Sequence, residues 1–127
     1  MMEVPILKQG DYLIASIQGA LTDTALIGLQ ENLIRAVHRH RSRGVVIDLT
    51  VLDVMDSFAA RTLRAITVMT RFLGARVVLV GIQPEIAFSM VQLGLKLEGT
   101  MTGLDLEDGL AMLKDWEHKD GPRHHGH

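Results

Sequence analysis

Residues 45–80 read VVIDLTVLDVMDSFAARTLRAITVMTRFLGARVVLV. Two short, nearly unbroken runs rich in β-branched residues, Val45–Leu49 and Val77–Val80, bracket this stretch. Such runs suit strands covered on both faces, the usual condition of a parallel sheet. Between them, Ala59, Leu63, Ile66, Met69 and Leu73 recur at helical spacing. That spacing predicts a helix from about Ser57 to Leu73, with this set as its buried face and Gly74 at its end. Strand, helix and strand at this length make a βαβ unit, whose crossover is expected to be right-handed.

Upstream, Val4–Leu7 and Tyr12–Ile17 read as two short strands around the turn Gln9-Gly10-Asp11, pairing as a hairpin at one side of the sheet. From Asp23 to about Arg41, Leu26, Leu29, Leu33 and Val37 trace a helical stripe that Ile27 and Ile34 widen. Thr22 or Asp23 can cap its start, His38, Arg39 and Arg41 suit its negative end, and Gly44 suits the exit.

Downstream, Gly81-Ile82-Gln83 leads into a short helix with Pro84 at its first position, ending near Gly94. A strand is expected around Leu97–Met101. A final helix follows from Asp105, with Asp108 three residues on in a capping-box-like arrangement and Leu106, Leu110 and Leu113 as its apolar stripe. The pattern predicts one α/β domain over residues 1–118, with a mixed, mostly parallel sheet of four to five strands and about four α-helices. Residues 119–127 lose all periodicity and carry Gly121, Pro122 and Gly126; they read as a disordered polar tail, of a make-up that also fits a non-native appendage.

Composition narrows the function. The chain has 127 residues, 47% hydrophobic and 22% charged, so it can bury a real core. Its formal charge of -2 supplies no overall basic field for nucleic acid. With no cysteine, disulfides, thiolate metal sites and a cysteine nucleophile are excluded. Glu3, Pro5 and Lys8 interrupt any signal-peptide core, and no apolar run approaches the ~18 residues that span a bilayer. A cytoplasmic protein without membrane or nucleic-acid partners is expected.

Catalytic motifs are missing. Neither G-x-x-x-x-G-K-[ST] nor G-x-G-x-x-G occurs, so a phosphate-cradling loop is unsupported. Ser57 stands where a nucleophile elbow would, between a strand and a helix, but Asp56, Phe58 and Ala59 replace the required glycines. His124, His125 and His127 could bind a metal only from a tail too polar and irregular to close a coordination shell. Arg61, Arg64 and Arg71 share a helix stripe that is more simply a solvated face than a phosphate-binding one. What remains is the segment from Asp53 to Arg61, which meets the unpaired N–H groups of a helix start; there Asp56 or Ser57 could also serve only as an N-cap.

The order of these segments resembles the STAS domains of anti-sigma-factor antagonists, most of all the RsbS type of the bacterial stressosome. Val46-Ile47-Asp48-Leu49 followed by Val54-Met55-Asp56-Ser57-Phe58 is similar to the family's strand, loop and Asp-Ser helix start. Ala75–Pro84 is similar to its next strand and Gly-Ile-Gln-Pro turn, Gly19–Asp23 to the loop before its first helix, and Asp105–Leu110 to its last helix. Many members continue Asp-Ser with a small polar residue and glycine; Phe58-Ala59-Ala60 departs from that and favours the RsbS type.

The resemblance implies a SpoIIAA-like fold, no enzymatic activity and no cofactor. It implies Ser57 as the phosphoacceptor of an RsbT-type serine kinase, reset by a PP2C-type phosphatase. Asp53, Asp56, Phe58, Arg61, Thr22 and Asp23 would flank the phosphosite or touch partners. RsbR-like STAS paralogs, and a homo-oligomer (a dimer) within a large assembly, are the implied partners. Two alternatives stay open: a simple antagonist docking directly on an anti-sigma kinase, and a small-ligand sensor whose pocket lies between the sheet edge and the Thr22–Asp23 loop.

Overall fold

The computed structural model describes residues 4–19 and 21–120. In chain order its elements are β1 (Ile6–Gln9), β2 (Tyr12–Ser16), α1 (Asp23–His40), β3 (Gly44–Asp48), α2 (Ser57–Phe72), β4 (Arg76–Val80), α3 (Pro84–Gln92), β5 (Met101–Gly103) and α4 (Leu106–Asp120). The five strands lie side by side in sequence order. β1 and β2 pair antiparallel, because the turn at Gly10 (φ 61°) reverses the chain within two residues. The other pairs are parallel, since α1, α2 and α3 each return the chain to the same starting edge. This is the expected mixed, mostly parallel sheet with four helices.

Side chains alternate across the sheet and sort its helices. Leu13, Ala15, Val45, Ile47, Val77 and Leu79 face a large core shared with α1, α2 and α3. Ile14, Val46, Val78 and Val80 face the other way, where α4 brings Leu113, Leu106 and Leu110. The three inner strands, β2, β3 and β4, are therefore buried on both faces, as the unbroken apolar runs of β3 and β4 require.

Four local expectations change. The buried face of α2 is Ala59, Ala60, Thr62, Leu63, Ile66, Thr67 and Thr70; Met69 is half-buried and Leu73 exposed. Thr62 and Thr67 enter the core because their hydroxyls bond back to the carbonyls of Phe58 and Arg64, both at 2.8 Å, leaving a methyl to pack. Helix α1 ends on Arg41 in the left-handed region (φ 50°), not on Gly44. The strand expected around Leu97–Met101 begins at Met101, since the turns at Gly94 and Gly99 (φ 67° and 77°) make 95–100 a loop. Arg71 and Arg76 pin that loop through the carbonyls of Glu98 and Gly99, at 2.9 and 3.1 Å. Finally, α4 continues through Asp120, two residues into the expected tail, with a Lys119–Asp115 ion pair at 3.3 Å one turn apart. Residues 121–127, including His124, His125 and His127, lie outside the described residues.

One helix must cover a whole sheet face, so α4 approaches closely. The Leu113 side chain fills the space a Cβ on Gly44 would need, with Cδ2 2.6 Å from that position, and Val80 Cγ1 stands 2.8 Å from the equivalent point on Gly109. At the starting edge of the strands, Tyr12 donates its hydroxyl hydrogen bond to Glu117, and Arg43 Nε lies 3.8 Å from the same carboxylate. The Arg76 guanidinium sits over the Trp116 ring, 5.2 Å from its centre. Burial, and then the bond to Glu117, push the Tyr12 phenol above its ordinary range.

Two outcomes follow from this docking. Gly44→Ala should cost about 1–3 kcal/mol by overpacking against Leu113. Leu113→Ala should cost about 2–5 kcal/mol, and the double variant less than the sum, as read by denaturant titration. Because the phenol's folded pKa is raised, its stabilisation is complete below about pH 10 and is lost as pH climbs through the higher folded value. The ultraviolet tyrosinate band of this single tyrosine should thus stay absent at pH 10 in the native protein and appear with alkaline unfolding; reversible ionisation near pH 10 without unfolding would contradict the assignment.

Candidate functional site

Parallel strands gather their following loops at one edge, so the segments after β2, β3, β4 and β5 meet beyond the strand C-termini. That edge holds Thr22, Asp23, the whole of 49–56 and the 81–83 turn. The β3–α2 loop is built in three steps. First, Asp48 Oδ1 accepts from both the Thr50 backbone N–H (2.9 Å) and the Thr50 hydroxyl (2.5 Å), turning the chain as it leaves the sheet. Second, Leu52 N–H bonds back to Leu49 O at 3.0 Å, and Leu52 and Met55 plunge into the α1–α2 core. Third, the residues between these anchors turn outward: Val51, Asp53, Val54 and Asp56 are exposed.

The neighbouring turn clamps this loop. Gln83 Nε2 donates to Thr50 O at 2.5 Å. Gly81 (φ 71°) takes the left-handed region and leaves no room for a side chain, because Thr50 Cα is 3.1 Å from where its Cβ would be. The sequence identified the Gly-Ile-Gln-Pro string but not this role. Its only signal was a glycine and an amide two residues apart after a buried strand.

Helix α2 then begins. Asp56 is its N-cap, extended (φ -96°, ψ 179°), with Oδ1 accepting from Ala59 N–H at 2.8 Å. That resolves the capping choice in favour of Asp56 and leaves Ser57 at the first helical position. Ser57 is exposed, and among the described residues its hydroxyl has no hydrogen-bond partner. Phe58 is half-buried against the large core, and Arg61 is exposed one turn along. Asp53 is exposed ahead of the cap. Thr22 caps α1 by accepting from Ala25 N–H at 3.0 Å, and Asp23 begins that helix, both exposed at the same edge.

His38, His40 and His118 belong to the last turns of α1 and α4, which end at the opposite edge of the sheet, so none serves Ser57 as a base. A hollow of about 300 Å³ opens between the 81–82 turn and Thr102–Leu104, with Asp108 on its wall; neither Thr22 nor Asp23 lines it. No helix among the described residues is long and apolar enough to cross a membrane.

Comparison with known proteins agrees with this geometry. A family model described as the STAS domain matches residues 3–106. A structure of RsbS from Moorella thermoacetica, in a variant with one serine replaced by glutamate, superposes with a TM-score of 0.82 at 36% identity, covering 91% of this chain and 97% of that one. A chain from a structure of the stressosome, described as a signal integration and transduction hub, superposes with a TM-score of 0.75, also at 36% identity, over 87% and 96% of the two chains. In Bacillus subtilis (strain 168), the RsbT co-antagonist protein RsbRA is 38% identical over 82 residues, or 65% of this chain. This chain spans about 30% of that relative's length. The chain belongs to the STAS-domain family and is similar to RsbS over nearly its whole length.

Proposed function

We propose that this protein is a non-enzymatic stressosome component of the RsbS type, which together with RsbR-like paralogs holds an RsbT-type serine kinase and releases it when Ser57 is phosphorylated. The observation that carries the reading is the free, exposed Ser57 hydroxyl at the first position of α2, with the capping duty taken by Asp56. The relative in which glutamate replaces a serine supports it, because that exchange puts negative charge where a hydroxyl stood. A PP2C-type phosphatase would reset the site, and the assembly would work in the cytoplasm.

The switch follows from charge. A phosphate adds about 1.5 to 2 negative charges at pH 7. At the first turn of α2 it meets unpaired N–H groups and the positive end of the helix dipole, so the domain itself tolerates the change. Arg61 stands four residues on, within reach along the helix face. Asp53 and Asp56 act in the opposite sense: pressed against a partner, a new dianion beside two carboxylates is both desolvated and repelled. The fold survives while the interface loosens.

Two variants separate this role from a structural one. Asp56→Ala should lose about 1 kcal/mol of stability with the cap, whereas Ser57→Ala should stay within about 0.5 kcal/mol of wild type by thermal melting. With the cognate kinase and ATP, Ser57→Ala should accept no phosphate while still entering a large complex with RsbR-like proteins in sedimentation. Undiminished labelling of Ser57→Ala would move the site elsewhere, and kinase capture unchanged by Ser57→Asp would count against the charge mechanism.

A further inference from the structure

β1 joins β2 through a tight turn, so no crossover helix comes with it. A groove of about 270 Å³ is left open between this edge strand and the second half of α1. Ile6 and Lys8, two residues apart on β1, share the face that lines it, and Leu13 is the register partner of Lys8. From the helix come Asn32, Arg35, Ala36 and Arg39, at the three- and four-residue spacing of one continuous face. The floor is therefore aliphatic and the rim cationic.

None of Lys8, Arg35 and Arg39 pairs with a carboxylate among the described residues. Cations gathered without a counter-charge repel one another, so an anion that enters the groove relieves them. Arg35 and Arg39 stand one helical turn apart, and a planar guanidinium can donate two parallel hydrogen bonds to a phosphate or a carboxylate. Three cations favour the dianion of a phosphate monoester over the single charge of a carboxylate. Ile6, Leu13 and Ala36 bring no polar side-chain atom, so the rest of the ligand must be apolar. The volume lies at the small end of ligand pockets, which suits a short body and excludes a polymer or a whole lipid.

We propose that this groove binds a small phosphate monoester with an apolar body, its head held by Lys8, Arg35 and Arg39 and its chain laid on Ile6, Leu13 and Ala36. The site is remote from Ser57. It borders the half of α1 that runs to the starting edge of the strands, whereas Ser57 lies beyond their C-terminal ends. The domain thus has a small-molecule input at the end away from its candidate phosphoacceptor. Because the groove is open along one side, its ion pairs are partly screened and binding is modest and salt-sensitive.

Isothermal titration of the full-length chain with hexyl phosphate tests this without kinase or partner, so failure here leaves the Ser57 reading standing. Hexyl phosphate should bind at least about tenfold tighter than inorganic phosphate and about fivefold tighter than butyl phosphate, since a fully buried methylene is worth up to about fourfold and this groove is partly open. Arg35→Gln with Arg39→Gln should weaken hexyl phosphate binding at least about tenfold, with an unchanged circular dichroism spectrum. Arg64→Gln, on the exposed face of α2, removes a charge elsewhere and should leave binding unaltered. Absent binding of hexyl phosphate, equal binding of inorganic phosphate, a double variant that binds as wild type does, or an equal loss in Arg64→Gln would each overturn the proposal. Binding confined to phosphatidic acid vesicles would overturn it too, putting a membrane surface in place of the groove.

Discussion

The inner strands β2, β3 and β4 must be covered on both faces, and the rest of the architecture serves that requirement. Three crossover helices supply one cover as a by-product of making the strands parallel. The opposite face has only α4 to close it, which is why this helix comes close enough to press Leu113 onto Gly44 and Gly109 onto Val80. Its last turns are fixed at the starting edge of the sheet by Tyr12, Arg43 and Arg76, each from a different strand or its approach. A bulky residue at either glycine would open the thin side of the domain.

The same constraint positions the site. Because β2, β3, β4 and β5 run in one direction, their outgoing loops share an edge, and the β3–α2 loop is braced there from two sides. Leu52 and Met55 fix it to the core beneath, while Thr50 is held by Asp48 and Gln83. Ser57 therefore sits on a braced platform though its own hydroxyl is free, a combination that suits the modification proposed for it. The capping carboxylate of Asp56 explains how the helix start stays satisfied in its absence. Charge then divides the molecule, with carboxylates around the loop edge and cations along the outgoing half of α1, which gives the chain two unlike surfaces rather than one uniform exterior.

Much of this was legible from residue order. The runs Val45–Leu49 and Val77–Val80 announced doubly covered strands, and the Leu26, Leu29, Leu33 and Val37 stripe announced α1, because burial imposes those periods directly on sequence. Thr62 and Thr67 escaped the same reasoning: threonine counts as polar in a pattern, yet in a helix its hydroxyl can return to the backbone and leave a methyl for the core. Leu73 failed in the other direction, since apolar spacing cannot tell where a helix passes beyond its neighbour. Met101–Gly103 was misplaced because the positive φ at Gly99, which breaks the preceding segment, leaves no trace in hydropathy.

By itself, the sequence determined the class of fold and the order of its elements, since both rest on local patterns of burial and capping; Ser57 became a candidate only through the family resemblance. Tertiary structure alone decided that Asp56 takes the cap and leaves Ser57 unbonded. It alone showed that Gly81 makes room for Thr50, and that Gly44 matters for Leu113 rather than for ending α1. The physical reason is distance along the chain. Burial and capping act between residues a few positions apart, where sequence spacing reports them. Close approach between a glycine and a side chain 69 positions away depends on how whole elements pack.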